Sequence, residues 1–496
     1  MQKILSGIDV KKLDQQYIKG EGITSFQLME RAASTFCDWF VSMFPSNTLD
    51  IAVFCGIGNN GGDGLAISRL LAERGYLVAV YVIGNSEKGS ADFKNNLEFL
   101  PETVLLTDWE PGLDFHAEII IDGIFGVGIN RPLEGGYQQL VLELNEHKGT
   151  KISIDVPSGL PTDGVLSGTA FKADYTLSFQ FPKLSLLIPE HAVFTGELIV
   201  KSIGIDSFYF DAFDSPYFFF NGDGITERHR KFHRFSHKGD FGRVMLVGGS
   251  YGKIGAMLMA SAAALRTGSG LVFAHVPKCG VGILQTSIPE LMVSPSEFEE
   301  EVGGKFSFPG LDALGVGPGM GKGQRAAALL HDILRNFEGP LVLDADALNL
   351  LSDNPDWYDL LGENTVLTPH LKEFERLVGP CADHFDRMEK ARLFCRNYGC
   401  TLILKGANTL ITFPDGKQVF NASGSKYMAS GGSGDVLTGM VTSFLGQGYE
   451  IKNAVLCGVF HHGHAGELAS SEKRRGTVAT DIIEAIPKSF LHFDVG

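Results

Sequence analysis

Short apolar runs recur along this chain, each followed by a turn rich in glycine or ending in an acid, and then by a segment of helical period. That alternation constrains the fold more than any other feature, because strand and helix in regular succession build a parallel sheet covered by helices on both faces. In the first half, residues 51–54, 77–83, 118–122 and 151–156 read as strands, and residues 64–74, 92–100 and 136–145 as helices. Residues 1–44 read as helical, with Leu28, Met29, Ala32, Phe36 and Phe40 at helical spacing. The aromatic stretch 208–224 breaks the rhythm, and the Arg- and His-rich run 227–240 after it reads as a solvated linker. A second rhythm follows, with strands at 243–247, 271–276, 341–344, 365–367, 401–404 and 410–412, and helices at 255–267, 436–444 and 454–469. The expected architecture is α/β with two different domains, 1–215 and 225–496, and no internal duplication.

The length of 496 residues fits this division, since one domain takes roughly 150 residues. A net charge of −16 argues against nonspecific binding to a nucleic-acid backbone. The seven cysteines form no C-x-x-C pair and read as free thiols of a reducing cytoplasm. No run reaches the roughly 18 apolar residues of a membrane span, and the first 20 residues lack a signal-peptide core. Neither a nucleic-acid nor a membrane partner is expected.

In parallel sheets ligands gather beyond the carboxyl ends of strands, and three motifs of the first half stand there. CGIGNNGGDG (55–64) contains G-x-G-x-x-G through Gly56, Gly58 and Gly61. A dinucleotide loop also needs an acid at the end of the next strand to hold the ribose, and only the late Glu87 is available. The bland alternative is a glycine turn with Asp63 as a helix cap. Asp122 precedes a second glycine-rich loop with Arg131 available for phosphate, and Asp155 precedes Val-Pro-Ser-Gly, where Pro157 stiffens the turn. Two strand-end acids, two asparagines and a serine make an oxygen-rich set, which suits a hard monovalent cation such as potassium better than a transition metal.

GNNGGDG, DGIFGVGINRPLEG and DVPSGL, in this order and spacing, resemble the NAD(P)H-hydrate epimerase family, and LMERAAS (28–34) resembles its N-terminal helix. The resemblance covers roughly residues 1–210 and implies a Rossmann-like, three-layer α/β/α domain. It implies that Asn59, Asn60, Gly61, Gly62 and Asp63 contact a hydrated NADH or NADPH (NADHX, NADPHX), together with Gly126, Val127, Gly128, Ile129, Asn130, Arg131, Pro132 and Asp155. It implies potassium on Asn60, Asp122 and Ser158, and an active-site lysine at Lys183. Asp155 is then the acid–base residue, assisted by Lys183.

In the second half, ASGGSGDVL (429–437) places glycines and an acid at a helix start. Such a terminus is an anion hole, and Asp435 can take the proton of an attacking hydroxyl; a simple N-cap is the alternative. Neither GGSYGKI nor GPGMGKG matches G-x-x-x-x-G-K-S/T, so a P-loop is excluded. DADALN (344–349), TPH (368–370) with Glu373, and KGANT (405–409) follow further strands. With GGSYGKIGA, RTGSGLV and PELMV, these motifs resemble the ribokinase-like superfamily and, within it, the ADP- or ATP-dependent NAD(P)H-hydrate dehydratases, over about residues 225–490. The resemblance implies a ribokinase-like α/β domain with Ala256, Gly319, His370 and Asp435 on the hydrate. Lys405, Gly406, Ala407, Asn408, Thr409 and Gly434 would then hold the nucleotide, with magnesium accompanying ADP. SGSKYM (423–428) departs from the family's usual Thr-Gly-Asn-Pro-Gly-Met.

Together the resemblances imply a bifunctional cofactor-repair enzyme in which an epimerase supplies an ADP-dependent dehydratase, with NADHX, NADPHX and ADP or ATP as small-molecule partners; a homo-oligomer is expected as well. Two other readings remain at this point. The second half can serve as an alcohol or vitamin kinase, and the first as a non-catalytic binding scaffold.

Overall fold

The computed structural model of the chain describes every residue except Asn130, Phe306, Phe308 and residues 494–496. The chain separates into two compact units. One comprises Gln2–Ser215 with Asp383–Phe385, and the other Met1, Pro216–Ala382 and Asp386–Gly496.

The first unit is built on a 7-stranded sheet. Its strands run in the order Leu105–Asp108, Leu77–Ile83, Asp50–Gly56, Ile119–Gly123, Thr150–Ile154, Tyr175–Phe179 and Glu197–Lys201, and all pair in parallel. Alternate side chains sort into two cores, as the two-residue period of a strand requires. Val53, Cys55 and Ile121 pack under Phe36, Phe40, Leu65 and Ile67 on one face. Ala52, Phe54 and Ile120 pack against Leu140, Val141 and Leu144 of the helix Gly135–Glu146 on the other. Strand order reverses direction between Asp50–Gly56 and Ile119–Gly123, the switch point at which such sheets open a crevice.

The second unit carries a sheet ordered Tyr217–Phe220, Gln418–Asn421, Leu410–Thr412, Thr401–Leu404, Thr365–Leu367, Leu341–Leu343, Ala313–Val316, Arg243–Val247, Leu271–Val276 and Met292–Pro295. Leu410–Thr412 is antiparallel to both of its neighbours, and the other pairings are parallel. The helix Ser433–Gly446 is buried at every position from Val436 onward, because helices and sheet enclose it on all sides.

Three local features differ from the sequence reading. The helix after the first strand begins at Asn59, not Gly64, so the glycine-rich segment is its first turn. Gly58 stands at the N-cap, and Asp63 is not a cap. The aromatic stretch contributes the strand Tyr217–Phe220. Within the Arg- and His-rich run, His229 is anchored rather than solvated: its Nδ1 lies 3.0 Å from the Tyr449 hydroxyl and its Nε2 3.0 Å from His461 Nε2.

Candidate functional sites

The first site is a cavity of about 450 Å³ lined by Asp14, Asn59, Asp63, Asp155 and Lys183 among others. Asp155 follows the strand Thr150–Ile154 and takes the left-handed conformation, φ 64°, a region that Asp tolerates better than most residues. Its own N–H donates to Leu177 O at 2.8 Å, which ties the turn to the neighbouring strand. Its Oδ1 accepts from Phe179 N at 3.0 Å, from Ser178 Oγ at 3.2 Å, and from Lys183 Nζ. The Lys183 side chain is only 2% exposed. Besides Asp155, its ammonium donates to Ser178 Oγ at 3.2 Å and Phe179 O at 3.1 Å, so all three of its protons are engaged. Lys183 therefore fixes Asp155 and has no proton left for another acceptor.

The other two acids of the cavity are held differently. Burial raises the Asp14 carboxyl to about 6, with Lys183 opposing and Asp155 reinforcing the shift. Burial also raises Asp63 well above the usual carboxylate range, helped by Asp155 and Asp14. Burial thus favours the protonated forms of Asp14 and Asp63 over those of free carboxyls.

Beside this cavity lies the oxygen-rich cluster. Asp122 is fully buried and accepts from Ser158 N at 2.8 Å, Ser158 Oγ at 2.5 Å and Ile124 N at 3.2 Å. Burial pushes it up to about 6, against the pull of the Ser158 hydrogen bonds. Ser158 Oγ also accepts from Phe125 N at 2.8 Å. Asn60 Nδ2 is buried without a hydrogen-bond partner among the described residues. Rotating that amide places its carbonyl oxygen at the same point, since the two ends have the same shape. A β-carbon at Gly126 would stand 2.9 Å from Asn60 Oδ1, so the loop closes on Asn60 only with glycine there.

The glycines of the first turn serve this close packing rather than a dinucleotide loop. A β-carbon on Gly61 would collide with the Gly56 carbonyl oxygen, and one on Gly56 with that of Ile124. Asn59 is exposed at the cavity, whereas Gly61 and Gly62 are buried beneath it. Arg131, Ile129 and Pro132 line a separate small depression of about 90 Å³ rather than the Asp155 cavity. Val127 packs on the cluster of Val156 and Leu160, and Gly128 lies beside Lys11. Asn130 lies outside the described residues.

The second site surrounds the start of the helix Ser433–Gly446. Gly432 caps it at φ 93° without a side-chain hydrogen bond, which leaves the Gly434 and Asp435 N–H groups without a capping side chain and open to a ligand. Asp344 is held at both oxygens: Lys405 Nζ donates to Oδ1 at 2.7 Å and Thr438 Oγ1 to Oδ2 at 2.7 Å. A β-carbon on Gly434 would stand 3.2 Å from Lys405 Nζ, which puts the ammonium directly against the helix start. Asp435 does not cap the helix. Burial raises it to about 7, with Asp344 adding and Lys405 opposing, so it is poised to exchange a proton near neutral pH.

A cavity of about 700 Å³ adjoins this terminus, lined by Lys405, Gly406, Ala407, Thr409 and Gly434 together with His370, His462 and the loop Ser423–Lys426. Asn408 belongs to the same turn, which Thr409 Oγ1 closes by donating to Gly406 O at 3.1 Å. His370 caps the helix Leu371–Val378, its Nδ1 accepting from Lys372 N at 3.1 Å and Glu373 N at 3.3 Å. Its proton is therefore on Nε2, 3.3 Å from Glu373 Oε1. Ala256 and Gly319 adjoin each other, a β-carbon on Gly319 falling 3.4 Å from that of Ala256. Neither they nor Asp435 line the 700 Å³ cavity.

Two residues at these sites carry no signal in the sequence. Asp14 is one acid on an amphipathic helix, and His462 one histidine in the run HHGH. His462 Nε2 lies 2.9 Å from Ser433 O, and burial lowers its pKa to about 4. It is thus a neutral donor that braces the helix start.

Two family models match the chain. One, described as YjeF-related protein N-terminus, covers residues 25–185, and one described as NAD(P)H-hydrate dehydratase covers 244–488. The bifunctional NAD(P)H-hydrate repair enzyme Nnr of Moorella thermoacetica is 33% identical over 511 residues, spanning 98% of this chain and 96% of that protein. Its counterpart from Coxiella burnetii is 34% identical over 479 residues, spanning 95% and 96%. Among solved structures, an ADP/ATP-dependent NAD(P)H-hydrate dehydratase from Bacillus subtilis, co-crystallized with ATP and Mg2+, superposes with a TM-score of 0.47 at 27% identity, over 56% of this chain and 98% of that one. With near-complete coverage of relatives at this identity, the chain belongs to the family of bifunctional NAD(P)H-hydrate repair enzymes.

Proposed function

We propose that this protein repairs hydrated nicotinamide cofactors in two steps, each in its own unit: epimerisation of NADHX and NADPHX in residues 1–215, and dehydration of the S form in residues 225–496. The observation that carries this reading is that one chain holds both a carboxylate clamped by a buried lysine and an anion-binding helix start with an acid poised near pH 7.

In the first unit, the hydrate carries its hydroxyl beside the ring nitrogen. The nitrogen lone pair expels that hydroxyl with a proton as water and leaves an iminium. Water adding to the opposite face, and giving up a proton, inverts the centre. Asp155, held in place by Lys183, is the proton acceptor. Asn60, Asp122 and Ser158 would hold potassium, a fit supported by the unpartnered Asn60 amide and the buried Asp122 carboxyl. The ion would supply positive charge beside the Phe125–Gly126 loop.

In the second unit, Asp435 takes the proton of the hydrate's hydroxyl as that oxygen bonds to the terminal phosphorus of the nucleotide. The bond to the leaving phosphate oxygen breaks, giving AMP when the donor is ADP. Lys405 and the first-turn N–H groups of Ser433–Gly446 face the charge that develops. The ring nitrogen then expels phosphate, and loss of a proton from the adjacent carbon restores the dihydropyridine. Magnesium would enter on the nucleotide. Free thiols at all seven cysteines support a reducing, cytoplasmic setting.

The test is incubation of mixed NADHX epimers with ADP or ATP, followed by absorbance of the reduced nicotinamide. Complete recovery with one phosphate released per cofactor is expected. Accumulation of a stable phosphate ester would overturn the reading.

A further inference from the structure

Inversion through a planar iminium makes a demand that Asp155 and Lys183 do not meet alone. Hydroxide leaves from one face with a proton, and water arrives on the other and surrenders one. Because both epimers must react, each face needs a group able to carry a proton. Lys183 has all three protons engaged by Asp155, Ser178 and Phe179. Asp155 Oδ1 takes three donors, which places it as an acceptor. The pair therefore supplies a base and no acid.

Asp14 is placed to supply one. It stands on the helix Gly7–Glu21, which the motifs after the strands do not include, and it lines the same cavity as Asp155 and Lys183. Its carboxyl makes no hydrogen bond or ion pair with any described residue, so both oxygens are available to a ligand. The charged groups that share the cavity with it are Lys11 on its own helix, Asp63 on the helix Asn59–Glu73, and Asp155 and Lys183. We infer that Asp14 is the second proton-carrying residue of the epimerisation site, acting as general acid on the leaving hydroxyl while Asp155 acts as base, with the roles exchanged in the reverse direction. In the forward step, the Asp14 proton joins the departing hydroxyl as the carbon–oxygen bond breaks. A water then bonds to the opposite face and its proton passes to Asp155, so the protein returns to its starting charge once the two carboxyls re-equilibrate. Burial holds Asp14 at about 6, which keeps a protonated fraction at working pH.

This inference rests on reading the cavity as the epimerisation site. The test measures interconversion of purified R and S hydrates without nucleotide, on the full chain, for wild type, Asp14→Asn and Asp14→Glu across a pH series. In wild type, kcat should fall as pH rises past about 6. Asp14→Asn should lose roughly 100-fold or more in kcat with KM within about threefold, and should lose that alkaline decline. Asp14→Glu should recover part of the rate together with the decline. An Asp14→Asn variant with wild-type kcat, or a slower one that keeps the wild-type pH profile, overturns the inference. If wild type itself fails to interconvert the epimers, the reading of the site falls instead.

Discussion

Lys405 Nζ lies 2.7 Å from Asp344 Oδ1, and Asp344 Oδ2 is taken by Thr438 at 2.7 Å, so one buried carboxylate ties a strand-end lysine to the second turn of the helix Ser433–Gly446. The lysine is thereby parked against Gly434, where a phosphate can use it. Lys405→Met should remove both the phosphate partner and the compensation of the Asp344 charge. We expect dehydration to fall at least about 100-fold, with the second unit losing about 3 kcal/mol, while R/S interconversion is unchanged. Steady-state assays and denaturant melts of the full chain check both.

Asp435 is raised from its ordinary value to about 7. A carboxyl that binds its proton more tightly folded than unfolded makes the folded state less stable as pH rises between those two values. The second unit should therefore lose stability from about pH 4 to about pH 7, and the dehydration rate should climb as Asp435 ionises near pH 7. Asp435→Asn should flatten the stability profile over that window and abolish dehydration. Thermal melts across pH, beside assays of the S form, measure the two effects separately.

Asp155→Asn keeps the size of the side chain but removes its charge. Epimerisation should cease while dehydration of the S form continues, so recovery of reduced cofactor from mixed epimers should stop near the S fraction. Full recovery in this variant would show that Asp155 is not the base.

The buried ion pair also makes Lys183 structural. Lys183→Ala leaves a carboxylate without its counter-charge and opens space in the core, so the first unit should lose about 3–5 kcal/mol. A two-wavelength denaturant melt that separates the units would locate the loss.

At Gly61, any β-carbon meets the Gly56 carbonyl oxygen. Gly61→Ala should destabilise the first unit by more than about 3 kcal/mol, since the clash is with backbone that cannot turn aside. A melt matching wild type would contradict the packing described for this turn.

The alternation of strands and helices was legible because burial on both faces of a parallel sheet selects unbroken apolar runs, as at 51–54 and 243–247. Short strands such as Gln418–Asn421 were not, because their four residues, one asparagine and one glutamine among them, look like loop. The helix start at Asn59 was misplaced because the five glycines of 55–64 suggest a turn, yet Gly56 and Gly61 serve here to bring the helix against the strand end. His229 sits in a basic run that composition marks as solvated, and only its packing with Tyr449 and His461 shows otherwise. Asp14 was invisible for the opposite reason: one acid on a helix carries no pattern.

By itself the sequence determined the α/β class, the order of strands and helices, and which glycine- and acid-bearing segments stand at strand ends, since these depend on local period and residue type. Tertiary structure decided what those segments do. Lys183 spends its protons on Asp155, Lys405 is parked on the helix start, and Asp14 enters a cavity whose other walls come from distant segments. Such outcomes depend on desolvation and on charges brought together from residues far apart in the chain, and neither is encoded in any single stretch of it.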